Sequence, residues 1–187
     1  MHLLLTGISP RAVRVLFDNE FHPSCLEASI KKEYGKLYDL KKKHVINAAQ
    51  WNLLFPSSGA PNSNTFDVTL MVALLRNLTN FPPPVGGYDQ LPMCLDTTPT
   101  ADLARIKHYR NQLAHHDDGK IKSTLFTTAW EDISGAVRRI GGQHMEEECK
   151  ELRSKHLDQS TVPWNIRVQI KSYRYSKTVN LQPGRHK

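Results

Sequence analysis

The sequence predicts an all-α fold, a helical bundle that carries a long loop rich in proline and glycine and a basic C-terminal tail. Apolar residues recur at helical spacing in most segments, and helix-capping residues precede several of these segments. An alternation typical of a strand appears only in the tail, over residues 164–170. Because a single strand needs a partner, the helices are expected to form the core.

The first helices are predicted from capping signals near the amino end. Ser9 and Pro10 suit an N-cap followed by proline at the first helical position. Residues 24–27 (SCLE) have the form of a capping box, and apolar residues follow near helical spacing. Two early helices are therefore expected. The apolar segment 48–55 (AAQWNLLF) is expected to be either a helix end or a buried turn.

The central and C-terminal helices are predicted in the same way. Asp67 opens VTLMVALLRNL, which is apolar on nearly all sides and is expected at the centre of the bundle. Residues 81–99 contain five prolines and two glycines and must form a long loop. Residues 96–100 offer N-caps for a helix that is expected to stop near Gly119. A further helix from Ser123 or Thr124 to the glycine pair at 141–142, and a charged helix over 146–157, complete the prediction.

Length and composition limit the possible classes of protein. A chain of 187 residues suits one domain with an appendage, divided here into N-terminal helices (1–36), a main helical domain (37–157) and the basic tail (158–187). Three widely spaced cysteines support neither a disulfide framework nor a zinc site, and no cofactor is expected. No apolar run is long enough to span a bilayer, so a cytoplasmic protein without membrane contact is expected.

The positive charge is concentrated in the tail. The net charge is +7, and the six basic residues after Asp158 meet no acidic residue there, which leaves the body near neutral. Aromatic residues among these cations could grip a phosphate backbone and stack on bases. The candidate RNA-binding residues of the tail are Arg167, Lys171, Tyr173, Arg174 and Tyr175. The alternative is a solvated and partly disordered terminus.

Residues 109–119 (YRNQLAHHDDG) carry the strongest chemical signal. Arg110 offers a rigid fork of donors for phosphate oxygens, Asn111 can orient a hydroxyl or a ring, and His115 or His116 can exchange protons near neutral pH. Arg110 falls within the apolar stripe of the predicted helix, so a carboxylate or another anion is expected beside it. The structural alternatives are an ion pair with a neighbouring helix for Arg110 and carbonyl capping at the helix end for the histidines.

The pattern R-N-x3-H on a helix of an all-helical domain resembles the signature of a HEPN domain. The runs QWNLLFP (50–56), SGAPNSNTFDVTLMVALLRNL (58–78), PPPVGGYDQLP (82–92), DTTPTADLARIKHYRN (96–111) and WEDISGAVRRIGG (130–142) resemble one type in particular. This is the HEPN domain of the RNA-binding, DAZ-interacting zinc-finger ubiquitin ligase and its animal relatives. The likeness covers about residues 37–142 and extends more loosely to residue 157.

The resemblance implies a helical bundle that forms a homodimer through its motif helices, with two Arg-Asn-His sets around one cleft. In nuclease members of the superfamily, RNA is cleaved without metal by attack of the ribose 2′-hydroxyl. By position, Arg110 would bind the scissile phosphate, Asn111 would orient a reacting group, and His115 or His116 would be the general base or acid. Whether the chain is such an endoribonuclease stays open. The alternative is a non-catalytic interaction module, with protein partners, of a ubiquitin-ligase or innate-immune protein.

Overall fold

The computed structural model describes residues 1–114 and 123–154, and over these residues the chain forms eight α-helices and no strand. The all-α prediction is therefore confirmed. The helices are α1 (Ser9–Glu20), α2 (Leu26–Lys32), α3 (Tyr34–Lys42), α4 (Ala48–Leu54), α5 (Val68–Leu78), α6 (Pro99–Ala114), α7 (Ser123–Gly141) and α8 (Gln143–Ser154). No helix in the described part of the chain is both long and apolar enough to cross a membrane.

The core is built around α1, α5, α6 and α7. Helix α1 packs against both α5 and α7, and α6 packs along α7. As predicted, α5 is central, because nearly every side chain from Val68 to Leu75 is buried. Phe17 of α1 is fully buried and meets Phe66 edge to face, with ring centroids 5.8 Å apart. The position of α6 is therefore fixed by its packing along α7, which in turn packs against α1.

The predicted start of α1 at a Ser9 cap is wrong. A π-helical turn over Leu4–Ile8 runs directly into α1, so Ser9 is already helical and Ile8 stands at the cap position without a side-chain cap. The Ser9 hydroxyl donates instead to the Leu4 carbonyl oxygen at 2.9 Å. Because Leu4 and Leu5 are buried in the core, tertiary packing extends the helix towards the amino end.

The capping box predicted at residues 24–27 is also absent. Residues Pro23–Cys25 form a 3₁₀ turn, in which His22 Nδ1 accepts a hydrogen bond from the Ser24 amide. The apolar pattern that follows is divided between α2 and α3 at Glu33 rather than forming one helix. A reciprocal capping box occurs later, where Asn47 and Gln50 bond each other's backbone amides and start α4.

The predicted caps of the two helices nearest the candidate site are confirmed. Asp67 Oδ1 accepts from the Leu70 amide at 2.7 Å and starts α5. Thr98 Oγ1 accepts from the Ala101 amide at 3.3 Å, with Pro99 at the first position of α6. Helix α8 starts at Gln143, three residues before its predicted start, directly after Gly142 at φ +91°. The predicted stop at Gly119, the end of α8 at 157 and the strand over 164–170 lie outside the described residues.

Gly141, at the end of α7, lies close to Ala12 of α1. A Cβ added at this glycine would lie 2.8 Å from Ala12 Cβ and 3.1 Å from Ala12 Cα. We expect Gly141→Ala to lower the free energy of unfolding by about 1–3 kcal/mol, because it overpacks a contact that includes backbone. Chemical denaturation would measure the change.

Gly35 provides the matched control for this substitution. It lies in α3, where an added Cβ meets nothing within 4 Å. We expect Gly35→Ala to leave stability unchanged or to raise it by up to about 1 kcal/mol, since alanine favours helix. Equal effects of the two substitutions would show that the approach of α7 to α1 does not depend on glycine.

Candidate functional site

Helix α6 is anchored to α7 by a buried ionic cluster. The Asp102 carboxylate is fully buried and accepts hydrogen bonds from Arg105 Nη1 at 2.9 Å and from Arg139 Nη2 at 2.6 Å. Arg139 Nε reaches the second carboxylate oxygen at 2.8 Å, which makes this pair bidentate. Arg105 also donates to the Met93 carbonyl and so ties the long loop to α6. The cluster therefore fixes the position of α6 along α7 and its rotation about its own axis.

A second anchor lies one turn further along α6. The Tyr109 hydroxyl donates to Asp132 Oδ2 on α7. Burial of the phenol, together with this carboxylate, raises the pKa of Tyr109 well above its usual value. The hydroxyl therefore remains protonated and bound under ordinary conditions. This bond holds Tyr109 against α7. Arg110, the next residue, therefore lies on a different face of α6 and contacts α5.

Arg110 lies half-buried on the face of α6 that looks towards α5. Its Nη1 donates to Thr69 Oγ1 at 2.6 Å. No carboxylate among the residues that the structure describes forms an ion pair with it, and the expectation of a carboxylate or another anion beside it stays a prediction. The deeply buried guanidinium of this helix is Arg105 instead, at 2% exposure. Arg110 thus has no charged protein partner in the described ranges, and the hydrogen bond that the structure describes for it is to the neutral Thr69 hydroxyl.

Arg110 borders a cavity of about 390 Å³ between α3, α5, α6 and the long loop, which we name the basic cavity. Its lining combines an apolar floor from α5 with four cationic side chains and, among the described residues, no carboxylate. The cations are Lys43, Arg76, Lys107 and Arg110. Asn111, the second residue of the motif, also lines this cavity. Such a lining favours an anion.

A neighbouring cavity of about 310 Å³ lies on the other side of Lys107, and we name it the His108 cavity. It is lined by His108, Asn111 and Asp89, among others. Lys107 Nζ contacts Asp89 Oδ1 at 2.7 Å. Since Asn111 and Lys107 border both cavities, the two form adjoining parts of one polar surface along α6.

The structure brings together Arg110 and Asn111 at one cavity. His115 and His116 lie outside the described residues, as do the tail candidates Arg167, Lys171, Tyr173, Arg174 and Tyr175. Within residues 1–114 and 123–154, no group of three or more His, Cys, Asp or Glu side chains is placed to hold a metal ion.

Sequence reasoning missed three of the four cations of the basic cavity. Lys43 follows the last turn of α3, Arg76 lies in the last turn of α5, and Lys107 lies one turn before Arg110. Basic residues near helix C-termini are common because they favour the negative end of the helix dipole. Their sequence positions alone therefore do not distinguish a binding site. The cavity depends on how three helices meet.

Comparison with known proteins identifies a family and two relatives that this chain matches. A model of the DZIP3/hRUL138-like HEPN family matches residues 23–163. The human E3 ubiquitin-protein ligase DZIP3 is 28% identical over 159 residues, which covers 82% of this chain and 13% of that protein. The mouse protein of the same name is 31% identical over 135 residues, which covers 69% of this chain and 11% of that protein.

The chain thus spans only a small part of the length of these curated relatives. No match to a solved structure was found. The family match includes every described helix from α2 to α8, together with the Arg110–Asn111 pair on α6. On this evidence, the chain belongs to the DZIP3/hRUL138-like HEPN family.

Proposed function

We propose that this HEPN domain binds single-stranded RNA along α6 and, as a homodimer, cleaves it without a metal ion. The observation that carries the proposal is the setting of Arg110. A half-buried guanidinium that donates to a hydroxyl and lines a cavity with three further cations is suited to bind an anion from solution. A structural arginine would instead resemble Arg105, which is buried against a carboxylate.

The phosphodiester backbone of RNA matches this surface. A guanidinium fork can bind two oxygens of one phosphate, and Lys107 lies one helical turn before Arg110 on the same helix. Single-stranded RNA exposes its bases for contact with neighbouring surface. The RNA would then lie along the surface of α6, in contact with Arg110, Asn111 and His108, and would not be enclosed by the protein.

For cleavage, the ribose 2′-hydroxyl attacks the adjacent phosphorus while a base removes its proton, and the 5′-oxygen leaves with a proton from an acid. Arg110 would stabilise the charge that builds on the phosphate oxygens, and Asn111 would orient a reacting group. One of the two histidines, His115 or His116, would act as base or acid. Pairing of two domains through α6 would supply a second set of these groups to one cleft.

The test is cleavage of labelled single-stranded RNA by the purified full chain in EDTA, with the oligomeric state measured by light scattering. We expect a dimer that leaves 2′,3′-cyclic phosphate ends. The single variants His115→Ala and His116→Ala identify the motif histidine, because only one of them should stop cleavage. A chain ending at residue 157 shows how much the tail adds to RNA affinity and to its salt dependence.

A folded dimer that binds RNA but leaves it intact would reduce the proposal to RNA binding alone. A folded dimer that neither binds nor cleaves several RNAs would contradict it. Contaminating nuclease is recognised because its activity would be the same in preparations of both histidine variants.

The second candidate is an interaction module within a protein of the ubiquitin-ligase type. Two observations favour it: the relatives carry the name E3 ubiquitin-protein ligase, and the long loop exposes large apolar side chains. Val85, Met93 and Leu95 are 76%, 69% and 87% exposed. Under this alternative, Arg110→Ala would leave partner binding intact, whereas polar replacements of Met93 and Leu95 would abolish it.

A further inference from the structure

We infer that a surface of aromatic rings and lysines on α3 and α4 binds an acidic segment of a partner protein that also carries aliphatic side chains. This surface, which we name the lysine–aromatic patch, consists of Tyr34, Tyr38, Lys41, Lys42, Trp51 and Phe55. Neither α3 nor α4 carries a residue of the Arg-Asn-His motif. The inference therefore goes beyond the proposed RNA chemistry and does not rest on it.

The four rings of the patch form one connected cluster at the surface. Tyr34 and Tyr38 are nearly parallel, with centroids 6.2 Å apart, and they meet Trp51 edge to face at 5.7 and 6.1 Å. Phe55 contacts Trp51 at 4.6 Å and completes the cluster. Tyr34 and Tyr38 are nonetheless 50% and 41% exposed. Exposed rings that neighbours already hold in place lose little freedom on binding, and tyrosine and tryptophan dominate the energy of protein interfaces.

Two lysines near the end of α3 are held over these rings. Lys41 Nζ lies 4.4 Å from the centroid of Trp51, and Lys42 Nζ lies 4.6 Å from that of Tyr38. A ring attracts an ammonium group to its face, but it engages only part of the three N–H donors. Among the described residues, neither lysine forms an ion pair. Their remaining donors are therefore positioned to bind carboxylates from outside.

The surroundings of the patch are strongly positive. Residues 31–43 contain six lysines and two acidic residues, and residues 40–66 contain no acidic residue. Of the two carboxylates, Glu33 already forms an ion pair with a lysine one turn away, and Asp39 lies about 100° around α3 from Tyr38. An apolar centre with a cationic rim favours a partner of opposite charge, because complementary charges steer association and exclude like-charged partners. The partner is therefore expected to be acidic.

The geometry of the rings favours a protein segment over a nucleic acid. A base stacks on the face of a ring, but one face of Tyr38 and one face of Trp51 are already covered by ammonium groups. Ring edges carry partial positive charge, so exposed edges and ammonium groups together favour carboxylates. Aliphatic side chains of the partner would cover the exposed parts of Tyr34 and Tyr38. The basic tail does not match, because like charges repel and its six cations after Asp158 meet no acidic residue there.

The probes are three labelled synthetic peptides whose binding to the full chain is followed by fluorescence anisotropy. A repeat of Glu-Glu-Leu carries both acidic and aliphatic groups, a repeat of Glu-Glu-Ser lacks the aliphatic groups, and a repeat of Lys-Lys-Leu reverses the charge. We expect the first peptide to bind wild type at least about tenfold more tightly than either of the others. Its affinity should fall as salt is added, because salt screens the contribution of surface lysines.

Two test variants separate the rings from the charges. Tyr34→Ser with Tyr38→Ser removes the exposed rings and should lower the affinity for the acidic peptide at least about tenfold. Tyr34→Phe with Tyr38→Phe retains the rings and should stay within about twofold of wild type. Lys41→Gln with Lys42→Gln should lower the affinity about threefold or more and reduce its dependence on salt. The lysine variant removes no ring, so it tests the inference even if loss of the tyrosines destabilises the fold.

The controls make matching changes at other places on the surface. Arg138→Gln with Lys150→Gln removes the same charge from positions on α7 and α8 that are 63% and 69% exposed. Met93→Ser with Leu95→Ser removes exposed apolar side chains from the long loop. Both controls should bind the acidic peptide within about twofold of wild type. Circular dichroism and melting temperature show whether each variant is folded.

Three results would overturn the inference. The first is wild type that binds none of the peptides or does not distinguish them, and the second is an equal loss of affinity in test and control variants. The third is single-stranded RNA that binds through Tyr34 and Tyr38 when the acidic peptide does not bind.

Self-association is a further outcome that would contradict the inference, because the long loop is itself acidic and apolar. Residues 79–98 contain two aspartates and neither lysine nor arginine. An oligomer in light scattering that is lost in both the tyrosine-to-serine variant and the loop variant, without binding of the acidic peptide, would assign the patch to a second copy of the chain.

Discussion

Replacing Asp102 with alanine is expected to lower the free energy of unfolding by about 3–5 kcal/mol, the largest loss of stability that we expect. The carboxylate is fully buried, and its removal leaves Arg105, at 2% exposure, with the Met93 carbonyl as its remaining hydrogen-bond acceptor among the described residues. Arg139 is 35% exposed and can turn towards water. The cost therefore falls mainly on Arg105. Chemical denaturation would measure the loss as a lower midpoint concentration with an unchanged m-value.

Asp89 provides the control carboxylate. It also contacts a cation in the same region, Lys107 at 2.7 Å, but its side chain is 80% exposed. We expect Asp89→Ala to change stability by less than about 1 kcal/mol, because exposed ion pairs are weak. A loss of similar size in both variants would show that burial of Asp102 does not determine its contribution. Asp102→Asn, which preserves shape and one acceptor, should fall between the two.

Replacing Arg110 with alanine is expected to reduce RNA cleavage by about 10²–10³-fold, the typical effect of removing one donor to a developing oxyanion. RNA affinity should fall less, by about tenfold, since other phosphate contacts remain. Stability should change little, because the hydrogen bond that the structure describes for this side chain is the one to the exposed Thr69. Single-turnover cleavage and anisotropy of labelled RNA would separate the two effects.

Two further variants test the role of the guanidinium. Arg110→Lys retains the charge but loses the fork, so it should restore affinity more than the rate. Arg138→Ala removes an arginine that is 63% exposed on α7 and should match wild type. If Arg110→Ala retains both the rate and the affinity of wild type while remaining folded, the arginine has no role in RNA chemistry.

Local patterns in the sequence correctly predicted much of the fold near the site. The Asp67 cap and the almost continuous apolar run after it predicted α5 as the central helix, and residues 96–100 predicted the start of α6. Arg110 and Asn111, which are adjacent in the motif, both line the basic cavity. These features depend on neighbours within one or two turns, which the sequence displays directly.

The errors have a common physical cause. Ser9 is a residue type that often caps helices, but the burial of Leu4 and Leu5 in the core extends the helix beyond Ser9 towards the amino end. Arg110 falls within the apolar stripe of the helix projection, whereas the arginine of α6 that is buried against a carboxylate is Arg105. A projection of one helix does not show which arginine is buried, because burial depends on which neighbouring elements cover each side of the helix.

The sequence by itself determined the all-α class and the presence of an Arg-Asn pair on one helix, since these follow from local periodicity and caps. The family was indicated by the resemblance of its sequence runs to known HEPN domains and is shown by the family match. Only the tertiary structure decided which arginine is buried, how closely Gly141 approaches Ala12, and that Lys43 and Arg76 join Lys107 and Arg110 around one cavity. These are contacts between residues far apart in the chain. They arise only when helices pack and side chains compete for the same space.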